Sequence, residues 1–247
     1  MRLPDWHERY ILQAGWTRNL RSFLLNKLGV QSGNTLLEVG SGTGALIQDF
    51  RAMRAKPFAL DLDFNRMAFA KAKVSNLAGV CADGVNIPIA NHVFNFTVCH
   101  YLLLWASDPL AILKEMVRVT RKGGAVIAFA EPDYASRIDY PEIFSQIGDL
   151  QNHSLDFQGI DLKMGRKLGH LFRQSGLDDV KLGLLAGEWR KPSEEVFDAE
   201  WNVIAWDLGG FAPVDEILLL KETAKTSWLS GEATVFIPTF YAYGLVK

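Results

Sequence analysis

Little in this chain ties it to an oxidising compartment, a membrane or a polyanion. Only two of its 247 residues are cysteine, Cys81 and Cys99. Both fall in apolar, strand-like runs, so they read as small buried hydrophobes of a reducing cytosol, not as a disulfide or part of a metal site. No apolar run nears the ~18 residues of a membrane span. Met1–Tyr10 carries Asp5, His7, Glu8 and Arg9 and lacks the apolar stretch of a signal peptide. Lysine and arginine form no run, and net charge is −2, which argues against affinity built on phosphate neutralisation. Repeats, low-complexity stretches and clear linkers are also missing. These absences leave a cytoplasmic protein with no membrane, nucleic-acid or metal partner as the expectation.

Hydrophobic residues make up 49% and charged residues 22%, enough to bury a sizeable core. Residues 6–28 have apolar residues at helical spacing, Ile11, Leu12, Trp16, Leu20, Phe23, Leu24 and Leu28, with Gly29 as a stop. A βα beat follows. Strands are expected at Thr35–Val39, Pro57–Asp61, Ala78–Ala82, Phe94–Cys99 and Ala125–Ala130, the last after a turn at Lys122–Gly124. Helices fall at 45–53, 65–74 and 109–120, the third capped by Asp108 and started by Pro109. Alternation of this kind specifies a parallel sheet covered on both faces, with ligands at the carboxyl ends of its strands. The second half is less regular. It reads as a helix near 141–152, a helix over Met164–Ser175, a strand over Asp179–Trp189, two helices between 193 and 230, and one closing strand over Thr234–Val246.

Leu37-Glu38-Val39-Gly40-Ser41-Gly42-Thr43-Gly44 runs an apolar strand into three alternating glycines and then a helix. Glycine there permits a tight turn and a close ligand approach, and the helix start favours an anion. That anion is a pyrophosphate in a dinucleotide or the methionine carboxylate in S-adenosylmethionine. Gly40, Gly42 and Ala45 also satisfy the dinucleotide pattern G-x-G-x-x-G/A, so the loop alone leaves both open. Asp61 ends the second strand, where an acid accepts from ribose hydroxyls; Asp63 is the second choice. Asp83 and Gly84 follow the third strand, where a carboxylate can take the exocyclic amine of adenine.

The runs LLEVGSGTG, ALDLD, CADGVNIPIANHVFNF and DPLAILKEMVRVTRKGGAVIAFAEPD, in this order over residues 35–133, resemble the class I S-adenosylmethionine-dependent methyltransferases that modify small molecules. The resemblance implies an α/β, Rossmann-like, doubly wound seven-stranded sheet, mostly parallel with an antiparallel last strand, in a single domain over 1–247. An N-terminal helical segment spans 1–30, and the helical insertions at 132–162 and 192–231 are expected to cap the acceptor site. It implies that Glu38, Gly40, Ser41, Gly42 and Gly44 surround the methionine part. Asp61 would hold the ribose, Leu62 would lie against the adenine, and Asp83 and Gly84 would read the base. His100 would line the methyl-transfer side through its backbone. Asn95 departs from the family, which usually has an acid there. No Asn-Pro-Pro-Tyr or Pro-Cys motif appears, so the resemblance gives no support to methylation of nucleic-acid or glutamine amides.

An activated methyl donor needs a base only if the acceptor must lose a proton. His100, Glu131 and Tyr134 are the first candidates for acceptor contact; Asp133, His153 and Tyr241 follow. The aromatics Trp189, Phe197, Trp201, Trp206 and Phe211 suit core packing or an apolar pocket. Tyr10, Gln13, Trp16, Thr17 and Arg21 on the first helix suit packing, with Tyr10 or Gln13 available to cover a cofactor. The alternatives to a methyltransferase are a protein that binds S-adenosylmethionine without methyl transfer and a nicotinamide-dependent oxidoreductase.

If Asp61 holds the ribose, Asp61→Ala weakens cofactor affinity about 10-fold or more, through loss of charge-assisted hydrogen bonds. Calorimetric titration checks this, and unchanged affinity places the ribose elsewhere.

Overall fold

The computed structural model describes residues 2–186 and 192–247. Its elements in chain order are α1 (Leu3–Lys27), β1 (Thr35–Val39), α2 (Ile47–Ala52), β2 (Lys56–Asp61), α3 (Phe64–Lys73), β3 (Ala78–Cys81), β4 (Phe94–Cys99), α4 (Pro109–Val119) and β5 (Thr120–Pro132). Then come β6 (Ile138–Tyr140), α5 (Glu142–Phe157), α6 (Met164–Gln174), β7 (Asp178–Leu185), α7 (Glu194–Leu208), α8 (Val214–Leu229), β8 (Thr234–Phe236) and β9 (Thr239–Leu245). Local chemistry sets the helix starts. Asp63 Oδ1 accepts from the amides of Asn65 and Arg66 at α3, Asp108 accepts from Ala111 at α4, and Ser193 accepts from Val196 at α7.

The chain folds as two compact units. The first comprises Met1–Glu131, Gly165–Leu185 and Phe240–Lys247; the second comprises Pro132–Met164 and Ala186–Thr239. The expected insertions, 132–162 and 192–231, lie inside the second unit. The first unit carries a seven-stranded sheet in the order β3-β2-β1-β4-β5-β9-β7. The β1–β2, β2–β3, β1–β4 and β4–β5 pairs are parallel. The amide of Gly123 donates to Val246 O and that of Val246 to Gly124 O. The start of β5 thus meets the end of β9, which runs antiparallel. Strand order reverses between β1 and β4, and the carboxyl ends that part there form the crevice where such sheets bind ligands.

β1, β4 and most of β5 are buried along their length, as strands covered on both faces must be. Phe50 and Phe129 stack in this core with ring centroids 6.5 Å apart. Asn95 accepts from the Thr35 amide at 2.9 Å and from its hydroxyl at 3.1 Å, tying the starts of β1 and β4 together. The second unit has its own core of Phe144, Ile147, Phe197, Trp201, Leu208 and Leu220. Phe197 and Trp201 stack at 5.8 Å, while Trp206 is exposed.

The structure corrects several expectations. The closing strand is two. Residues 237–238 interrupt it at Pro238, which cannot donate to a ladder; β8 pairs with β6, a strand not anticipated, in a separate two-stranded sheet. The strand expected over Asp179–Trp189 ends at Leu185, and Trp189 lies outside the described residues. The turn at Lys122–Gly124 sits within β5, as a jump in the ladder from Phe94↔Thr120 to Phe96↔Ala125. Cys81 is exposed, at the end of the edge strand β3; Cys99 is buried. In α1, Ile11, Leu12, Trp16 and Phe23 face solvent, and the buried stripe is Ala14, Thr17, Arg21, Leu24 and Leu25. That stripe keeps the helical spacing but includes two polar residues.

A Cβ on Gly124 would fall on the carbonyl oxygen of Asn95 and 2.8 Å from the Thr120 methyl group; one on Gly123 would meet nothing within 4 Å. Gly124→Ala therefore costs about 1–3 kcal/mol by overpacking. Gly123→Ala, at a φ of 76°, costs ~1 kcal/mol by backbone strain alone. Urea midpoints measure both, and Gly123→Ala is expected to be the milder.

Candidate functional site

At the carboxyl end of β1 the chain turns at Gly40 with a φ of 72°, and a Cβ there would lie 3.1 Å from Leu102 Cγ. The loop is fixed to the end of β2. The amides of Gly40 and Ser41 both donate to Leu60 O, at 2.8 and 2.9 Å. The amide of Gly42 donates to Asp61 Oδ2 at 2.6 Å, and Asp61 Oδ1 accepts from the Asp63 amide at 2.9 Å. Asp61 is buried, with the glycine loop on one side and the turn into α3 on the other. Asp63, the second choice for a ribose, is the cap of α3 and pairs with Arg66 at 3.5 Å.

Beside Asp61, Leu62 and Phe64 are 69% and 71% exposed, an apolar platform next to a carboxylate. Asp83 is exposed, and its Oδ1 accepts from the Val85 amide at 3.0 Å in a tight turn. Gly84 is buried, and a Cβ there would come within 3.2 Å of Val39. Glu38, Gly40, Ser41, Gly42 and Gly44, with Asp61, Leu62, Asp83 and Gly84, thus gather at the ends of β1, β2 and β3.

Glu38 is 3% exposed, and its Oε2 has no hydrogen-bond partner. Burial pushes its carboxyl up to about 8, against the pull of Arg21 and with the help of Asp61 and Asp49. An acceptor so placed calls for a donor, and a cationic one best. Together with the glycine turn, it fits the amino-acid end of a nucleoside cofactor.

α1 lies over this end of the sheet. His7 Nδ1 is 2.8 Å from Thr43 Oγ1, and a Cβ on Gly42 would stand 3.4 Å from the Tyr10 ring. Burial raises the Tyr10 phenol, with Asp61 and Asp63 among its charged neighbours. Lower down, Arg21 donates to the Ala14 carbonyl at 2.7 Å, to Thr17 Oγ1 and to Asp49 of α2. Thr17 Oγ1 is 2.9 Å from His100 Nε2. Arg21 donates into that oxygen, and the Thr17 hydroxyl also reaches the Ala14 carbonyl at 3.4 Å. Thr17 and Arg21, placed among packing residues in the sequence, belong to this end of the sheet. Two polar residues at core-facing helical spacing were the signal.

His100 follows β4 and packs edge-on against Tyr101, which has a φ of 52°. Burial and the Arg21 charge pull the imidazole down to about 3, so it is neutral near pH 7. Glu131, at the end of β5, is fully buried. Its Oε1 accepts from the amides of Leu102 and Leu103 at 3.0 and 2.9 Å, and its Oε2 from Leu104 at 3.1 Å. Burial raises it to about 7 in spite of those amides. It pins the loop after β4 and does not stand free in a pocket. Tyr134 belongs to the second unit, where its carbonyl accepts from Asn152 Nδ2 at 3.2 Å.

Comparison with known proteins adds the following. Residues 37–128 match the family described as "Methyltransferase domain". A demethylmenaquinone methyltransferase of Beutenbergia cavernae is 30% identical over 127 residues, covering 51% of this chain and 53% of its own. A malonyl-[acyl-carrier protein] O-methyltransferase of Hamiltonella defensa is 31% identical over 104 residues, covering 42% and 40%. The chain spans about half the length of the curated relatives it matches. Among solved structures, a protein of an antibiotic biosynthesis pathway of Anabaena variabilis superposes with a TM-score of 0.68 at 14% identity, covering 92% of this chain and 97% of its own. Haemonchus contortus phosphoethanolamine N-methyltransferase 2, in complex with S-adenosyl-L-methionine, gives 0.59 at 14% identity, covering 96% and 56%. Among the described residues no helix is long and apolar enough to cross a membrane.

His100 supplies a test of this environment. Its folded pKa of about 3 lies below the 6.5 of the unfolded chain, so its contribution to stability is complete above pH 6.5 and is lost as pH falls through the window to 3. Glu38 and Glu131, both raised, act with the opposite sign. Comparing His100→Gln with the wild type cancels them. Between pH 7 and 5 the variant gains about 1–2 kcal/mol relative to the wild type, at up to ~1.4 kcal/mol per pH unit within the window. Denaturant titrations at the two pH values measure it; parallel curves mean a solvated histidine.

Proposed function

Because residues 37–128 are a methyltransferase domain of the class I, S-adenosylmethionine-dependent kind, we propose that the chain transfers the methyl group of S-adenosylmethionine to a small-molecule acceptor by in-line displacement. The observation that carries this reading is the unpartnered, buried carboxylate oxygen of Glu38 beside the glycine turn. It suits the ammonium of the methionine tail, a group that NAD lacks. Gly40, Ser41, Gly42 and Gly44 bring backbone against that tail. Asp61 takes the ribose hydroxyls, keeping lone pairs to spare beyond the Gly42 and Asp63 amides. Leu62 lies against the base, with Asp83 and Gly84 reading its edge.

The sulfonium supplies an already activated methyl group, so the chain's own task is to hold the acceptor atom in line and exclude water. His100, with a conjugate acid at about 3, is a weak base near neutrality, and the Glu131 oxygens are committed to three amides. Both therefore serve to shape the loop after β4, next to the methyl. These two roles suit an acceptor that is already nucleophilic and needs no strong base.

Thermal-shift titration ranks S-adenosylmethionine against NAD, and labelled-methyl transfer is then screened over small-molecule and protein pools. Stabilisation by S-adenosylmethionine alone, with label passing into a small-molecule fraction, is expected. Stabilisation by NAD alone would mean an oxidoreductase. A stable complex that labels no pool would mean a protein that binds the cofactor without methyl transfer.

A further inference from the structure

Cofactor binding leaves one residue of the loop after β4 unused. Leu102-Leu103-Leu104-Trp105 is an apolar run that closes a single 3-10 turn over Leu103–Trp105, with the Trp105 amide donating to Leu102 O at 3.0 Å. Leu103 and Leu104 are 0% and 3% exposed, but Trp105 is 56% exposed. A turn of three residues sends successive side chains in three directions, so one of them faces out. A polar residue suits such a position, yet the largest apolar side chain of the run takes it. The Trp105 indole N–H makes no hydrogen bond and its ring meets no other ring among the described residues.

The backbone that carries this ring is fixed from both sides. Glu131 accepts from the amides of Leu102, Leu103 and Leu104, the three residues just before it. Three residues beyond it, Asp108 caps α4 by accepting from Ala111, and Pro109 starts the helix. Leu102 packs against the glycine turn, with Cγ 3.1 Å from where a Cβ on Gly40 would lie. Across a hydrogen-bonded turn the first and fourth Cα atoms are within about 7 Å, so Trp105 stands close to the point where strand order reverses between β1 and β4. Of the exposed large apolar side chains at the carboxyl ends of the sheet, Leu62 and Phe64 follow β2, Val85 follows β3, and Trp105 follows β4. A nucleoside held by the ends of β1, β2 and β3 takes the first three and leaves the β4 side of the crevice to the acceptor.

We propose that Trp105 is a specificity-determining residue that stacks on the methyl acceptor, and that the acceptor carries an aromatic ring. This rests on the methyltransferase reading and names the substrate class of that reaction. Ring contacts, offset or edge-to-face, add to the gain from apolar burial, and a ring on a backbone already fixed loses little freedom when a ligand docks. A cation also suits an indole face, but the one acid of this loop, Asp108, is committed to its helix cap, and an aromatic ring needs no counter-charge.

The test uses the full chain saturated with S-adenosylhomocysteine and three probes titrated by calorimetry: 2-naphthol, its saturated counterpart decahydro-2-naphthol, and tetramethylammonium. The wild type is expected to bind 2-naphthol at least 5-fold more tightly than either of the others. Trp105→Leu is expected to bring 2-naphthol within 2-fold of decahydro-2-naphthol, with S-adenosylhomocysteine affinity still within 2-fold of the wild type, and Trp105→Phe to keep the preference. No preference for 2-naphthol in the wild type, a preference that survives Trp105→Leu, or a loss shared with S-adenosylhomocysteine overturns the proposal. In labelled-methyl transfer the acceptors that the wild type labels must be aromatic, and Trp105→Leu must raise their KM 10-fold or more with a smaller change in kcat. Label in aliphatic acceptors alone overturns it as well. If the wild type does not bind S-adenosylhomocysteine, the methyltransferase reading itself fails, and this proposal falls with it.

Discussion

The bond from the Gly42 amide to the Asp61 carboxylate is the contact on which the rest of the site depends. It joins the turn after β1 to the end of β2, and the amides of Gly40 and Ser41 on Leu60 O reinforce it. Three amides of one loop are thereby held by two adjacent residues of the neighbouring strand. The glycine turn is set before any ligand arrives, which lowers the ordering cost of binding. The acid that suits a sugar hydroxyl also builds the loop that suits the amino-acid tail. Register between β1 and β2, set by their continuous apolar faces, is what brings the two together.

The loop after β4 is organised the same way from the other side. Glu131 at the end of β5 gathers the amides of Leu102, Leu103 and Leu104, and Leu102 packs where a Cβ on Gly40 would have to be. Tyr101 is held at a φ of 52° between these anchors, in a region that non-glycine residues visit mainly where surrounding structure compels it. Asp61 and Glu131 each place both oxygens on backbone amides, and Asp63 places one there.

Much of this was legible in the sequence. Strands buried on both faces write themselves as apolar runs, so β1, β2 and β4 stand where the runs predict them, and Asp108 and Pro109 mark the start of α4 as expected. Failures came where one rule competed with another. In α1 the large apolar residues drew attention to the wrong stripe. The inward face covers a polar sheet end, so Thr17 and Arg21 lie inside while Trp16, beneath the Arg9 guanidinium at 4.8 Å, faces out. The closing strand looked continuous because its apolar residues are; only the proline signals the break. The partners of Glu131 were not readable, since an acid at a strand end looks alike whether it faces a ligand or a loop. Cys81 followed the apolar pattern of its strand, but nothing local says that β3 lies at the sheet's edge.

The placement of the first helix turns on thermodynamic linkage. Its opening turns touch the glycine loop through His7 on Thr43 and Tyr10 over Gly42. Any ligand that stiffens that loop also steadies the helix's beginning, and a helix already docked makes the loop cheaper to order. By reciprocity the two equilibria share one coupling energy, and whatever orders the loop is felt two turns into the helix.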